Sequence, residues 1–371
     1  MPATDTVSAH PTVSVIVPAR NEEACLAACI ESLLAQPNVQ SNAQSDVAFE
    51  IIVVDDHSTD RTREIACSFS GREVHSKVHS EVHPKVRVIE APTLPAGWTG
   101  KNNAVIAGAR AARGEWLLFT DADTIHLPGS LARSIAEANR HKAAMLSYSP
   151  EQIVESLVEK AVMPVIFAEL AATFRPSQVS DPRSPAAAAN GQYILITREA
   201  YDAVGGHAAI AGNLLEDVAL ARAVKRSGRK IFFRYASDAV RTRMYRTFPQ
   251  LREGWTKNLA LLFPSPVRLA VLRTIEFVLI VASFAIAILS TLRGHVRPAA
   301  VAAILAVILY TFFFARIRRA HFSWAANLLA IFGLPLFSYL LLRSTIFHKR
   351  GNVSWKGRTY SDERCLLATG H

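Results

Sequence analysis

Apolar runs alternate with amphipathic segments over the first 250 positions, and the alternation predicts strands and helices in turn. Val13-Ser14-Val15-Ile16-Val17-Pro18 reads as a first strand, and 21–35 as a helix starting at Arg20 or Asn21. Glu50-Ile51-Ile52-Val53-Val54-Asp55-Asp56 reads as a second strand, 59–70 as a helix and Val86-Arg87-Val88-Ile89 as a short third strand. A helix over 102–112 and a strand over 115–120 follow. This β-α-β-α order predicts an α/β fold, a parallel sheet with helices on both faces. The polar stretch 36–48 reads as a loop. So does 73–86, whose Val-His repeat (Val74-His75, Val78-His79, Val82-His83) also offers metal-ligating side chains.

Beyond about residue 258 the pattern changes. The stretches 274–292, 298–315 and 325–342 are nearly all apolar, and Glu276 is their only acidic residue. Each approaches the ~20 residues that span a bilayer. Two further segments, 157–174 and 258–273, mix apolar residues with charges and prolines, and suit helices lying at a membrane interface. The boundaries that follow are a nucleotide-binding domain over 13–250, connecting interfacial helices over 251–273, transmembrane helices over 274–347 and a basic tail over 348–371.

The formal net charge is +10. Nucleic-acid binding is one reading of that excess, but the cations flank the apolar stretches: Arg316, Arg318 and Arg319 in one cluster, Lys349, Arg350, Lys356 and Arg358 in another. Placement of that kind fits the positive-inside rule and anionic headgroups, so no nucleic-acid partner is expected. Residues 1–12 are polar and do not read as a secretory signal. The first 250 residues are therefore expected in the cytoplasm and the chain in the inner membrane. Four cysteines without a zinc-type pairing agree; Cys25 and Cys29 read as ordinary helix residues.

The candidate chemistry lies at strand ends. Asp121-Ala122-Asp123 follows the apolar run ending in Phe119-Thr120, where open α/β sheets bind ligands. One or two carboxylates, completed by water and phosphate oxygens, are how Mg²⁺ is usually held with a nucleotide. The same residues also suit a plain turn. Three more clusters stand in comparable places: Pro18-Ala19-Arg20-Asn21-Glu22, Asp55-Asp56-His57-Ser58-Thr59-Asp60 and Leu215-Glu216-Asp217.

Together, in order and spacing, these clusters resemble the inverting glycosyltransferase family 2, over about residues 13–245. Leu94-Pro95-Ala96-Gly97-Trp98-Thr99-Gly100-Lys101-Asn102, Asn190-Gly191-Gln192, Gly205-Gly206-His207, Gly254-Trp255-Thr256-Lys257-Asn258 and Trp355-Lys356-Gly357-Arg358 look like segments of bacterial enzymes that glycosylate carotenoid, hopanoid-associated and ceramide-type lipids. The resemblance implies a GT-A nucleotide-sugar domain followed by a helical transmembrane region. It also implies transfer of one sugar, from a UDP-sugar donor, to a lipid or polyisoprenoid hydroxyl at the bilayer.

The resemblance assigns roles as well. Asp55 and Asp56 would take the base and ribose, with Pro18, Arg20 and Glu22 beside them; as bare residues, Asp55 and Asp56 are equally good turn and cap chemistry. Asp123, helped by Asp121, would hold Mg²⁺ or Mn²⁺ on the donor diphosphate, with Lys101 as a second cation and Arg241 and Arg243 as further phosphate partners. Asp217 would be the general base with Glu216 beside it; as a bare residue it is also an ordinary acid of a helix first turn. His57 stands where relatives carry a small residue, which His can replace where φ is positive. Asn190, Gly191, Trp255, Trp355 and Arg358 would face the acceptor. Many membrane relatives carry a Gln-x-x-Arg-Trp motif that this chain lacks. Its absence argues against a polysaccharide synthase, the first alternative; a non-catalytic membrane scaffold is the second.

Overall fold

The computed structural model describes residues 11–36, 48–70 and 86–360. The loop expected over 36–48, the Val-His repeat and Cys365 fall wholly or almost wholly outside the described residues. Strand β1 (Val13–Ala19), helix α1 (Leu26–Leu34), β2 (Phe49–Asp55), α2 (Thr62–Phe69), β3 (Val86–Glu90), α3 (Gly100–Ala111) and β4 (Trp116–Phe119) come first, in the predicted order. There follow β5 (Thr124–His126), α4 (Ser130–His141), β6 (Met145–Ser149), β7 (Glu151–Gln152), α5 (Leu157–Thr173) and α6 (Pro176–Ser180). Next are β8 (Ile194–Thr197), α7 (Arg198–Ala203), α8 (Glu216–Arg226), β9 (Ile231–Tyr235) and β10 (Val240–Thr242). The chain continues with α9 (Phe248–Leu262), α10 (Pro266–Leu292), α11 (Val296–Ile317), α12 (Trp324–Leu329) and α13 (Gly333–Lys349), and closes with β11 (Val353–Trp355) and β12 (Arg358–Tyr360).

The chain forms two compact units: residues 1–151 with 176–243, and residues 152–175 with 244–371. In the first, seven strands form one sheet in the order β3-β2-β1-β4-β8-β6-β9. β1 and β2 are buried along nearly their whole length, which is why they read as continuous apolar runs. β1 pairs in parallel with both β2 and β4, with Ala19 opposite Asp55 and Ile16 opposite Phe119. Three of the four acidic clusters therefore leave the same edge of the sheet, where the order reverses between β1 and β4. The sheet is mixed, not wholly parallel. β8 runs antiparallel to β4 and β6, with Ile194 opposite Phe119. That reversal carries the loop before β8, with Asn190 and Gly191, to the edge where β4 ends.

The second unit is helical. The residues of α5 from Val162 to Glu169 are all buried. They pack in a cluster with Trp255, Leu259, Phe313, Phe337 and Leu341. The interfacial helix expected over 157–174 is thus corrected: its middle two turns have no free face to lay on a membrane. Its start is fixed by a capping box between Ser156 and Glu159. Among the described residues, three helical segments, Pro266–Leu292, Val296–Ala320 and Trp324–Lys349, are long and apolar enough to cross a membrane.

At the opposite edge of the sheet, Gly114 passes so close to β1 that a Cβ there would stand 2.5 Å from the Ser14 amide nitrogen and 2.7 Å from the Val13 carbonyl carbon. Both are backbone atoms and cannot swing away. Gly114→Ala is expected to destabilise the sheet unit by about 1–3 kcal/mol, read as a lower apparent Tm in detergent; an unchanged Tm contradicts this packing.

Candidate active site

Helix α3 is held at its start by Thr99, whose hydroxyl accepts from the Asn102 amide. The fully buried Asn102 side chain then reaches across to the loop before α8. Its Nδ2 donates to the carbonyls of Ile210 (3.1 Å), Ala211 (2.9 Å) and Asn213 (3.1 Å). The Thr99 amide donates to Ala211 as well, at 2.9 Å. This clasp fixes the loop that ends in Glu216 and Asp217.

Beside it, the Lys101 ammonium lies 2.7 Å from Asp121 Oδ1 and 2.7 Å from Glu216 Oε1. Burial alone would lower the Lys101 pKa; the two carboxylates outweigh it and hold the group well above the usual lysine range. Glu216 is buried at 7% exposure. Asp217 accepts from the Gly191 amide at 3.0 Å and from the Val218 amide at 2.7 Å. Burial and the neighbouring Glu216 carboxylate push its pKa up to about 6, against the pull of Lys101 and the two amides. A Cβ on Gly191 would stand 3.1 Å from Lys101 Nζ, 3.3 Å from Glu216 Oε1 and 3.6 Å from Asp217 Oδ2. A methyl group there would press these charged side-chain ends aside by a few tenths of an ångström.

Pro18, Lys101, Asp121, Gly191, His207 and Glu216 line a common cavity. Burial pushes the His207 imidazole down to about 4, against Glu216 and with Lys101, so the ring is neutral. The Tyr201 hydroxyl stands 3.1 Å from its Nδ1.

On the β2 side, Asp55 and Asp56 are both 3% exposed. Asp55 accepts from the Ser58 amide at 3.2 Å, a turn contact, and His57 takes φ 54° in that turn, the positive value that the residue tolerates. Arg20 donates to the carbonyls of Asp56 (2.6 Å) and His57 (3.2 Å), so its guanidinium braces this turn. Glu22 caps the approach to α1, its amide bonded to Thr62 at 2.7 Å. Glu22, Asp121 and Asp123 all bear on Cys29, whose thiol is pushed up chiefly by burial and then by Asp123, Asp121 and Glu22. Cys29 is a buried, inert core residue, as its helical spacing suggests.

The structure thus brings Pro18, Lys101, Asp121, Asn190, Gly191, Glu216 and Asp217 together. Trp255, Trp355 and Arg358 belong to the other unit. Trp255 is 2% exposed, with its ring edge-on to Phe167 and Tyr245. Its assignment to the acceptor side is corrected to core packing, since no ring face is left to offer. Trp355 and Arg358 close the β11–β12 hairpin, and Lys257 of α9 stands 5.2 Å over the Trp355 ring. Arg241 pairs with Glu151 at 2.7 Å. Asn102 and the part His207 plays in the cavity were missed in the sequence; the polar pair Asn102-Asn103 at a helix start was the available signal.

Asp121 and Asp123 supply hard carboxylate oxygens, the ligand type that Mg²⁺ and Mn²⁺ take. Among the described residues no three His, Cys, Asp or Glu side chains form a cage for an ion. The donor set fits an ion whose remaining positions come from a bound diphosphate and water.

A sequence profile of glycosyl transferase family 2 matches residues 14–204, and the chain belongs to that family. Its sheet is the mixed sheet of the family's GT-A fold. Among named relatives, the 4,4'-diaponeurosporenoate glycosyltransferase of Staphylococcus haemolyticus (strain JCSC1435) is 28% identical over 254 residues, 67% of this chain and 61% of the relative. That of Staphylococcus aureus (strain USA300) is 27% identical over 259 residues, 68% of this chain and 61% of the relative. The chain thus spans about 61% of the length of these relatives. Among solved structures, the mannosyltransferase PcManGT from Pyrobaculum calidifontis, in complex with GDP-Man and Mn²⁺, aligns with 92% of this chain and 87% of its own at 16% identity and a TM-score of 0.48. S. aureus TarS in complex with UDP-GlcNAc aligns with 68% of this chain and 65% of its own, at 16% identity and a TM-score of 0.41.

Gly191→Ala is expected to leave the apparent Tm unchanged and to lower nucleotide-sugar turnover about tenfold, because displacements well under 1 Å suffice to misalign reacting groups. Full activity would mean that the approach of Gly191 to Lys101 and Asp217 plays no part in turnover.

Proposed function

We propose that the chain is a membrane-anchored inverting glycosyltransferase that moves one sugar from a nucleotide-sugar donor, a UDP-sugar, to a lipid or polyisoprenoid hydroxyl. The observation that carries the reading is the convergence on Lys101 of Asp121, from the metal-type cluster, and Glu216, from the pair that holds the base. The relatives named for a carotenoid-type acceptor support the lipid, and the three apolar helices support the membrane anchor. The sheet unit is assigned to the cytoplasmic side of the inner membrane. Its bound partners are the donor, the lipid acceptor and the bilayer.

Asp55 and Asp56, presented at the end of β2 by a turn that Arg20 braces, take the nucleoside. Asp123 and Asp121 hold Mg²⁺ or Mn²⁺, which, when bound, offsets the charge that develops on the leaving nucleoside diphosphate. Lys101 adds a fixed positive charge beside Asp121. Asp217 is the base. The acceptor hydroxyl attacks the anomeric carbon, its proton passes to an Asp217 oxygen, and the bond from the anomeric carbon to the diphosphate oxygen breaks with inversion. The Gly191 and Val218 amides hold the carboxylate in place. A carboxyl with a pKa of about 6 is ionised at neutral pH yet more basic than an ordinary aspartate. Glu216 is tied to Lys101 and is better placed to fix charge than to move a proton.

Three outcomes follow. Asp217→Asn should lower turnover by about 10²–10⁴-fold with donor binding retained; unchanged turnover would remove Asp217 as the base. The wild-type kcat/KM should fall as pH drops through about 6, because the base is then protonated; a flat acid limb down to pH 4.5 contradicts the assignment. Membranes incubated with labelled nucleotide sugars should carry label into the lipid extract for one donor, and EDTA should abolish it. Label that stays aqueous for every donor argues against a lipid acceptor.

A further inference from the structure

The three apolar helical segments of the second unit are buried unequally. Only 11% and 22% of the apolar windows in the first two lie inside the protein, against 50% in Trp324–Lys349, the segment made by α12 and α13. α10 and α11 form an antiparallel hairpin: Phe284 meets Tyr310, and Arg316 reaches back to Glu276 at 2.7 Å. Its turn, Arg293 to His295, is exposed. Near its other end, Glu169, Arg273, Glu276 and Arg316 neutralise one another, tying α5 to both hairpin helices at 2.6–3.4 Å.

α13 does not follow that hairpin outward. Gly333, at its start, touches the Ala161 carbonyl of α5 with no room for a Cβ. Ser338 donates to the Ala270 carbonyl at 3.0 Å, in the first turns of α10. Phe337 meets Phe263, Ser344 donates to Thr256 at 2.6 Å and accepts from Ala260 at 2.9 Å, and His348 stands 2.8 Å from the Lys257 carbonyl. From start to finish α13 runs back along the opening of α10 and then antiparallel to α9, and each of these hydrogen bonds falls at or before Ala270. The chain joins β10 to α9 through residues 243–247, too few to cross a bilayer. α9 therefore shares a side with the sheet unit, and the β11–β12 hairpin, with Trp355 under Lys257, stays with α9.

The face that α12 and α13 turn outward is apolar. Trp324, Leu328, Phe332, Tyr339, Leu342 and Ile346 are 40–69% exposed and recur at helical spacing. The polar residues Asn327, Ser338, Ser344 and His348 are buried instead. Cations bracket the stripe: Arg318 lies 5.1 Å over the Trp324 ring, and Lys349 and Arg350 follow its end. An apolar stripe with a basic group at each end suits the headgroup and acyl boundary of an anionic bilayer.

We propose that α10 and α11 alone cross the bilayer, and that α12–α13 lies along its anionic surface on the side of the sheet unit. The proposal rests on the membrane reading above but not on the sugar chemistry. If alkaline carbonate released the chain from membranes, the membrane reading itself would fail. Sidedness tests the present proposal separately. In sealed vesicles carrying the full chain with one reactive cysteine at a time, an impermeant maleimide should label Ser354→Cys and Thr359→Cys from the same side as native Cys67, which is exposed on α2. It should label His295→Cys from the opposite side. Labelling of Ser354→Cys and Thr359→Cys together with His295→Cys would mean a third crossing and overturn the proposal. For depth, bimane on Leu328→Cys and Leu342→Cys in phosphatidylglycerol vesicles should be quenched more by a nitroxide near the headgroup than by one at the acyl end. Stronger deep quenching would mean insertion, and no quenching by either would mean a face covered by protein; both overturn the surface placement.

Discussion

The ammonium of Lys101, 2.7 Å from Asp121 and 2.7 Å from Glu216, is the contact on which the site depends. Without it, Asp121, Glu216 and Asp217 would crowd like charges into a partly desolvated cleft with no cation to offset them. With it, the buried Glu216 carboxylate has a cation partner, and Asp217 is left near a pKa of about 6. The bridge also joins two pieces of chain far apart in sequence, the end of β4 and the start of α8. Asp121 and Glu216, the neighbour of Asp217, thereby share one cation.

That cation is placed by packing remote from the chemistry. The Asn102 amide, with three carbonyl acceptors, and the Thr99 cap hold the start of α3 against the loop before α8. The reversed strand β8 delivers Gly191 to the same point, and its amide donates to Asp217 at 3.0 Å. Each element is ordinary alone. Their meeting is what gathers acids from separate strand ends around one lysine.

Much of this could be read along the chain. β1, β2 and β4 are buried strands whose apolar runs stop at their acids, so the strands and the clusters were visible together. Asp121-Ala122-Asp123 follows β4, and Glu216-Asp217 opens α8. The reversal of β8 was hidden, because four residues, Ile194-Leu195-Ile196-Thr197, have the same pattern in either direction. The clasp of Asn102 joins positions 108 to 111 residues apart, which no local pattern records. Arg20 reads as lying beside the nucleoside-side acids, but nothing local in the sequence shows that its guanidinium braces the Asp56 and His57 carbonyls. The charges in α5 suggested an interface; Glu169 is instead neutralised by Arg273 and Arg316, which no pattern within α5 foretells. Trp255 sat in a motif of the acceptor side, yet it is a packing residue, because burial is a property of the neighbours and not of the motif.

Lys101 is proposed to set the ionisation of Asp217, and the pH dependence of kcat/KM in Lys101→Met against wild type tests that most directly. Loss of the cation removes a term that lowers the Asp217 pKa. The acid limb should therefore move from about pH 6 to higher pH, with Lys101→Arg restoring part of the shift. An acid limb that stays in place or moves to lower pH in Lys101→Met would contradict the account.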